Sequence, residues 1–215
     1  MKYIKQVTVA QEEERKRIAR ELHDETAQAI ASLRMDIDTL IGHDRQVPTE
    51  ILHRLTELRD RAEHVVEDIR SLSQSLRPPM LEQLGLVSSI KWMANQFRRR
   101  LRIDCKCEIY GLEKRLEPDI ELALFRITQE ALNNIAKHAR ASQSIIRIRF
   151  KPHRVRLIVS DNGCGFYIPK TIHYLAKLDS LGLLGIQERT HLIKGSLTIR
   201  SRLAQGTTIA LSIPR

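Results

Sequence analysis

The sequence predicts an α+β protein in which a hairpin of two helices precedes a domain that mixes strands and helices. Apolar residues recur at helical spacing before Pro78-Pro79, whereas strand-like alternation and helical spacing take turns after residue 100. Proline does not continue a helix interior and disfavours a helical residue before it. We therefore predict a helical domain at 1–79, a connecting helix at 80–100 and an α/β domain at 101–215.

The composition excludes several classes of protein. The 215 residues are 42% hydrophobic, which is enough for a packed core and too much for a disordered chain. No apolar run approaches the ~18 residues that a membrane-spanning helix needs, so we expect a cytoplasmic location for this chain. The three cysteines (Cys105, Cys107 and Cys164) cannot form a disulfide framework. Cys105 and Cys107 lie in an alternating, strand-like run, which favours buried thiols in a reducing compartment over a metal site.

The first two predicted helices carry narrow apolar seams. They run from about Thr8 to Ile41 and from about Glu50 to Leu76. In the second helix the apolar residues step alternately by three and four, which is a heptad pattern. These residues are Leu55, Leu58, Ala62, Val65, Ile69, Leu72 and Leu76. Because two narrow seams bury little surface alone, we predict that the hairpin dimerises into a four-helix bundle.

The pattern in the rest of the chain predicts helices on one face of a sheet. Proline at position 118 suits the first turn of a helix. The predicted helices are Leu86–Arg100, Pro118–Ala139 and about 182–193, and the predicted strands are Ile103–Tyr110 and about 144–150, 154–160, 196–202 and 207–213. A loop is predicted at about 162–180.

The net charge of +10 invites a nucleic-acid interpretation that its distribution weakens. Arg147, Arg149 and Lys151 alternate with apolar residues, which is typical of a hairpin with one solvated, basic face. The dense run at 98–102 suits a solvated helix end, with a polyanion or membrane-surface contact as the alternative. Aromatic residues make up only 4% of the chain, so few are available to stack on bases and we expect no direct nucleic-acid partner.

One helical segment combines a histidine with residues that could activate it. His23 follows the seam residue Leu22, Asp24 is its neighbour, and Gln28 lies four residues after Asp24 on the same helix face. A carboxylate beside an imidazole can hold one tautomer, raise its nucleophilicity and accept its proton. The ordinary alternative is a solvent-facing histidine on a charged helix.

A second cluster lies on the predicted helix 118–139. Glu130, Asn134, Lys137 and His138 fall at helical spacing opposite the apolar residues. A carboxamide beside a cation can bind Mg²⁺ and contact phosphate oxygens. Taken alone, the cluster is equally typical of the polar outer face of an amphipathic helix.

Glycine-containing segments follow in the second half. A predicted strand ends at Asp161, and Gly163 and Gly165 come next, where glycine lets the backbone approach a ligand closely. A carboxylate at this place can accept a hydrogen bond from an exocyclic amine, although a tight turn explains the motif as well. Gly182 and Gly185 begin a helix, whose free N–H groups favour phosphate.

The order and separation of these segments carry a resemblance that no single segment does. The polar helix, the strand with Asp161-Asn162-Gly163-Cys164-Gly165, the Gly182 segment and Gly206-Thr207 together resemble the GHKL (Bergerat-type) ATP-binding domain, an α/β sandwich. With His-Asp-x-x-x-Gln upstream, the chain resembles sensor histidine kinases of the nitrate-sensor and desaturase-sensor type. The segment 77–86 resembles their interdomain junction.

The resemblance implies a role for each motif residue. His23 would accept the phosphoryl group, Asp24 would orient it and take its proton, and Gln28 would position a water for dephosphorylating the partner. Asn134 would bind Mg²⁺. The other residues implied in ATP binding are Glu130 in a secondary role, Lys137 and His138 near the phosphates, Asp161 at the adenine amine, Gly163 and Gly165 shaping the pocket, Gly182 and Gly185 at the phosphates, and Thr207 lining the site.

The resemblance also implies the reaction and its partners. The expected cofactors are ATP and Mg²⁺, and the expected partners are a second copy of the chain and the receiver domain of a response regulator. The chain would then be the cytoplasmic part of a sensor, bound to a membrane only through an upstream segment. The alternative is a GHKL-type ATPase or serine/threonine kinase without a phosphohistidine. Two departures from the family pattern are Lys194 and Ala204, where glycine is common.

Overall fold

A computed structural model describes residues 10, 12–15, 17–19, 21–43, 48–76, 79–167 and 181–214. The chain divides into two compact units, Met1–Pro79 and Met80–Arg215, which are considered separately below. Among the described residues, we find no helix that is both long enough and apolar enough to cross a bilayer.

The first unit is helical. A π-helical turn at Leu22–Thr26 leads into α1 (Ala27–His43), and α2 (Thr49–Leu76) packs against both. The residues that α1 and α2 bury between them are mostly small or β-branched: Ala27, Ile37, Ala62, Val66 and Ile69. One polar contact reaches further along the chain, because the Ser73 hydroxyl is buried and donates to the carbonyl oxygen of Ala19 at 2.9 Å.

The predicted heptad seam of α2 divides between two faces. Ala62 and Ile69 are buried inside the hairpin, whereas Leu58, Val65 and Leu72 are 50%, 43% and 50% exposed. Together with Ile51, these exposed residues recur every seventh position. We call this row (Ile51, Leu58, Val65 and Leu72) the α2 stripe; on α1, Leu33 and Leu40 repeat the same spacing and are also exposed.

The second unit contains a five-stranded sheet in the order β1-β2-β3-β5-β4. The strands are β1 (Asp104–Tyr110), β2 (Gln143–Lys151), β3 (Arg154–Asp161), β4 (Ser196–Ser201) and β5 (Thr207–Pro214). Parallel strands need a long crossover, and β1 and β2 are parallel with a helix between them. The other pairs are antiparallel. This confirms the predicted α+β class.

Three helices accompany the sheet in the described part of this unit. They are α3 (Pro79–Leu101), α4 (Pro118–Asn134), which continues as a π-helical turn at Ile135–Ala139, and α5 (Leu181–Leu192). Alternate strand residues such as Ile148, Val155 and Leu211 are almost fully buried in one core with Leu124 of α4 and Ile90 of α3. The segment that we predict to connect the domains, residues 80–100, therefore contributes to the core of the second unit.

The opposite face of the sheet is polar and basic. The outward residues of β2 and β3 include Arg149 and Arg156, which are directly paired and exposed. Arg149 lies over the Tyr110 ring at 5.3 Å from its centroid, and the Arg147 Nε donates to Glu108 at 2.6 Å. The predicted basic hairpin face is therefore observed, and half-exposed ion pairs of this kind contribute little to stability.

Candidate active site

The second unit has a cavity of about 460 Å³ between the end of α4, the ends of β3 and β5, and the start of α5. Six residues singled out in the sequence line it: Asn134, His138, Asp161, Gly165, Gly182 and Thr207. They come from four segments that are far apart along the chain. The fold therefore brings the separate sequence motifs to one place.

Asp161 is the last residue of β3 and faces the cavity while half-buried. Burial raises the pKa of this carboxyl group, and hydrogen bonds from the backbone N–H groups of Gly163 and Thr207 oppose that shift. The Gly163 bond measures 2.8 Å to Oδ1. A partly desolvated carboxylate that keeps free acceptor capacity is suited to receive an amino group from a bound ligand.

The loop after Asp161 is fixed by side chains and backbone together. The Asn162 amide oxygen accepts from the backbone N–H groups of Ser142 and Gln143, at 3.1 and 2.9 Å. Cys164 donates its backbone N–H to the carbonyl oxygen of Ala139 at 2.7 Å. These bonds hold the loop against the end of the α4 segment, so the two sides of the cavity are joined by direct contacts.

Glycine is required at two places in this loop region. Gly165 and Gly206 both have positive φ angles, 58° and 75°. A Cβ on Gly165 would overlap the carbonyl oxygen of Arg202, and a Cβ on Gly206 would overlap that of Asp161. Both the backbone conformation and the close approach therefore favour glycine.

Thr207 is held in place by a neighbouring hydroxyl. The Ser201 and Thr207 hydroxyl oxygens lie 2.9 Å apart, and Ser201 also accepts from the backbone N–H of Phe166 at 2.8 Å. One serine thus links β4, the start of β5 and the loop that leads away from Asp161. Ser201 was not predicted as a site residue.

Asn134 and Glu130 lie one turn apart on α4, next to the start of α5. The Asn134 Nδ2 atom is buried and, within the described part of the chain, has no hydrogen-bond partner. A Cβ on Gly182 would overlap Glu130 Oε1 and would lie 3.4 Å from Asn134 Nδ2. The missing Cβ therefore lets the Glu130 carboxylate lie against Gly182, close to the Asn134 amide. The unsatisfied amide nitrogen is suited to a polar ligand.

Four of the predicted ATP-binding residues do not line the cavity, and two of these contact residues that do. Glu130 contacts Gly182, and Gly163 contacts the carbonyl oxygen of Ala139. Both Gly182 and Ala139 line the cavity. Lys137 is exposed on the π-helical turn, and a Cβ on Gly185 would approach Arg189. The structure thus assigns Gly163 a packing contact and gives Lys137 and Gly185 no direct contact with the cavity wall.

The apolar lining of the cavity was missed by the sequence analysis. Between the polar groups lie Ala131, Ile135, Ala139, Val159, Leu183 and Ile209, and at the loop side Cys164, Phe166 and Tyr167. A largely apolar lining that also contains a carboxylate suits a ligand with apolar faces and an amino group. Several of these residues could have been found from the sequence, because they lie near predicted site residues on the same strands and helices.

Comparison with known proteins agrees with this geometry. A model described as "Histidine kinase" matches residues 14–81, and one described as "Histidine kinase-, DNA gyrase B-, and HSP90-like ATPase" matches residues 119–215. The chain is 36% identical over 211 residues to "Signal transduction histidine-protein kinase/phosphatase DegS" of Brevibacillus brevis, covering 97% of this chain and 53% of that protein. This chain belongs to the sensor histidine kinase family.

A second curated relative matches a similar share of the chain. The chain is 36% identical over 211 residues to "Sensor histidine kinase MctS" of Rhizobium johnstonii, covering 95% of this chain and 44% of that protein. It spans about half the length of the curated relatives that it matches most strongly. The fold is also that of the histidine kinase domain of a blue-light activated kinase from Erythrobacter litoralis, with 14% identity, a TM-score of 0.51, and coverage of 86% of this chain and 95% of that chain.

The residues predicted to accept the phosphoryl group and to assist its transfer lie in the helical unit. His23 and Asp24 belong to the π-helical turn Leu22–Thr26, and their side chains lie outside what the structure describes. Gln28 is exposed in the first turn of α1. A π-helical turn places five residues in one widened turn, and such turns often mark functional sites.

Proposed function

We propose that this chain is the catalytic core of a sensor histidine kinase, which transfers the γ-phosphoryl group of ATP to His23 and then to an aspartate of a response regulator. The observation that carries the proposal is the cavity in which Asp161, Asn134 and Thr207 meet an apolar wall. A nucleotide-sized site in one unit and a His-Asp-x-x-x-Gln helix in the other supply donor and acceptor.

The adenine end of the site follows from its lining. Asp161 would accept the exocyclic amine, and Val159, Ile135 and Ile209 would contact the base. The phosphates would then extend toward Asn134, His138 and the N-terminus of α5, where backbone N–H groups favour negative charge. This assignment is supported by the positions of the side chains along the cavity.

The site also fits Mg²⁺. Asn134 lines the cavity and can offer its amide oxygen as a ligand. Mg²⁺ is commonly bound by one or two protein oxygens together with substrate phosphates, and Glu130 is within reach as a second donor. When bound, the ion would neutralise charge on the transferring phosphoryl group.

The proposed chemistry is an in-line displacement. A ring nitrogen of His23 forms a bond to the γ-phosphorus, the bond to the β–γ bridging oxygen breaks, and ADP leaves. Asp24 takes the proton that the imidazole loses. The phosphoryl group then passes from the imidazole to a carboxylate of the receiver domain. Gln28, one turn after Asp24, would orient a water that hydrolyses the acyl phosphate, which gives phosphatase activity.

The same proposal includes a homodimer in the cytoplasm. The α2 stripe exposes apolar residues at every seventh position, which is the spacing of a coiled-coil seam. Pairing with the stripe of a second copy would bury both. The receiver domain of the response regulator would then contact the helical unit near His23, because that is where the phosphoryl group must leave.

Incubation with γ-labelled ATP tests the proposal. The chain should acquire a label that is lost in acid and stable in alkali, because phosphohistidine has that chemistry and phosphoserine does not. His23→Gln should abolish the label. His53→Gln is the matched control, since His53 is an exposed histidine on α2 of the same unit and should label normally.

Two results would contradict the proposal. Label that persists in His23→Gln would place the acceptor elsewhere. Release of inorganic phosphate without any labelled protein would instead support a GHKL-type ATPase that has no phosphohistidine.

A further inference from the structure

An ion pair between the half-exposed Arg115 and the buried Glu121 lies at the point where the second unit begins, away from the nucleotide cavity. Arg115, in the loop between β1 and α4, donates its Nε to Glu121 Oε1 at 3.0 Å. Its terminal nitrogens donate to the carbonyl oxygens of Leu81 at 3.2 Å and of Glu82 at 3.3 Å. One guanidinium therefore ties the first turn of α4 to the first turn of α3.

Glu121, the acid of this pair, is far more buried than the acid of a surface ion pair. Glu121 is 2% exposed, and glutamate is rarely buried to this extent without a partner. The same Oε1 atom also accepts from the backbone N–H of Leu116 at 3.0 Å. Removal of Arg115 would leave the buried Glu121 carboxylate without its cation. We call this contact, which Arg115 forms with Glu121 and with the carbonyl groups of Leu81 and Glu82, the joint.

The joint coincides with a break in α3. Gly85 has φ 81° and ψ 179°, which is not helical, so residues 79–84 form a separate arm before the main helix. In an unbroken helix the carbonyl groups of residues 81 and 82 would accept from the N–H groups of residues 85 and 86, which lie at the kink. Arg115 donates to these two carbonyl groups from the loop between β1 and α4.

Gly85 and Arg115 also fit each other sterically. A Cβ on residue 85 would lie 3.2 Å from Arg115 Cδ and 3.4 Å from Arg115 Nε. The positive φ angle at Gly85 independently disfavours any other residue. The missing side chain at Gly85 therefore leaves room for Arg115, and we expect substitutions of these two residues to disturb the same contact.

We propose that Arg115 is a positioning residue for phosphoryl transfer. The arm 79–84 is the segment through which the nucleotide-binding unit is covalently joined to the helical unit. The Arg115–Glu121 pair fixes the direction in which this arm leaves the second unit. Arg115 and Glu121 do not line the nucleotide cavity. The pair thus governs delivery of the phosphoryl group to His23 while leaving nucleotide affinity unchanged. This role rests on the function proposed above.

The test separates binding from transfer. Arg115→Gln and Gly85→Ala are introduced separately and together into the full chain, and nucleotide affinity is measured with a non-hydrolysable ATP analogue. The rate of His23 labelling at saturating ATP should fall about 10- to 100-fold in each single variant, because small misplacements far from the chemistry can cost that much. Nucleotide affinity should stay within about twofold of the unchanged chain.

The double variant and a conservative variant add two readouts. Because both residues act on the same arm, the double variant should lose less than the product of the single losses. Arg115→Lys keeps one donor of the fork and should restore part of the rate. Lys114→Gln, an exposed cation at the neighbouring position, is the matched control and should label at the normal rate.

The outcomes distinguish this role from the proposed function itself. If the unchanged chain forms no phosphohistidine, the proposed function and the role of Arg115 both fall. If the unchanged chain labels and Arg115→Gln labels at the same rate, only the role of Arg115 is overturned. A parallel loss of nucleotide affinity and rate would show that Arg115 merely supports the fold, and it would overturn the proposal as well.

Discussion

The two units of this chain differ in how completely each one buries its own apolar residues. In the second unit, large side chains from the sheet and from α3 and α4 are almost fully buried, including Phe125, Ile148 and Leu211. In the helical unit, the α2 stripe and Leu33 and Leu40 of α1 remain half exposed. The sheet unit thus encloses a core of its own, with exposed apolar residues such as Leu112 and Leu203 outside it, whereas the helical unit presents an exposed apolar row that suits a second copy.

The difference has a physical origin in the two kinds of secondary structure. A sheet covered by helices on one face encloses its core within a single chain. A two-helix hairpin has only one internal contact surface, so apolar residues on the outer side of each helix find no partner within it. We therefore expect the sheet unit to bind nucleotide as a single copy and the helical unit to need a second copy.

The largest expected effect is on assembly. Charge in the α2 stripe, introduced by Leu58→Glu with Leu72→Glu, should make the chain monomeric at micromolar concentration, because four carboxylates would be buried at the interface of the dimer. Sedimentation velocity measures the change. Glu67→Lys, at an exposed position on the opposite side of α2 from the stripe, should leave assembly unchanged. A monomeric unmodified chain would contradict this part of the comparison.

A core truncation should have a large effect confined to the other unit. Leu124 on α4 is fully buried, so Leu124→Ala should lower the free energy of unfolding of the sheet unit by about 2–5 kcal/mol. Denaturant unfolding followed by nucleotide binding reports this change. Dimerisation of the helical unit should persist at denaturant concentrations that unfold the variant sheet unit. Simultaneous loss of both would show that the two units are coupled in stability.

A site substitution should weaken binding without weakening the fold. Asp161→Asn removes the carboxylate that we expect at the adenine amine, so nucleotide affinity should fall by roughly 10- to 100-fold, which corresponds to losing a charge-assisted hydrogen bond. Isothermal titration with the ATP analogue measures it. Gln143→Asn, at an exposed position near this end of the sheet, serves as the control. Unchanged affinity in Asp161→Asn would remove Asp161 from the adenine site.

The same substitution should have the opposite effect on the nucleotide-free protein. Burial raises the pKa of Asp161 in the folded state, so ionisation of this carboxyl group costs stability above the folded pKa, and the cost disappears below the unfolded pKa. Asp161→Asn should therefore raise Tm slightly at neutral pH and lose this advantage as the pH falls toward that of unperturbed aspartate. Thermal unfolding at several pH values measures the difference.

The smallest effect is expected at two turns of the sheet unit. Lys194 and Ala204 have positive φ angles of 53° and 59°, a region that non-glycine residues occupy at a cost. Lys194→Gly and Ala204→Gly should each stabilise the unit by up to about 1 kcal/mol, reduced by the greater freedom of glycine in the unfolded chain. Chemical denaturation measures this. Glycine at Ser196, in a strand, should destabilise and serves as the contrast.

Local periodicity was sufficient to predict most of the elements. The strand over 154–160 and the helix from Pro118 were found from alternation and from proline at a first turn, and the structure has them at Arg154–Asp161 and Pro118–Asn134. The arm at 79–84 was not assigned its own kinked geometry. A π-helical turn such as Ile135–Ala139 was missed because its spacing is close to that of an α-helix.

The site residues also divide into those that the local sequence predicts and those that it does not. Asp161, Asn134 and Thr207 were found because each belongs to a short motif with its own chemical character. Ser201 and Asn162 were missed because their hydrogen bonds join segments that are distant along the chain. Arg115 was missed for the same reason, since it meets Leu81 and Glu82 more than 30 residues away.

The sequence alone determined the class of fold, the order of the motifs and the identity of the residues with suitable chemistry, because these depend on local spacing and on side-chain type. The tertiary structure decided which heptad residues face inward, where the backbone takes left-handed angles, and which side chains hold the cavity and the arm in place. Those features depend on contacts between distant segments, and the energy of such contacts is set only when the whole unit has packed.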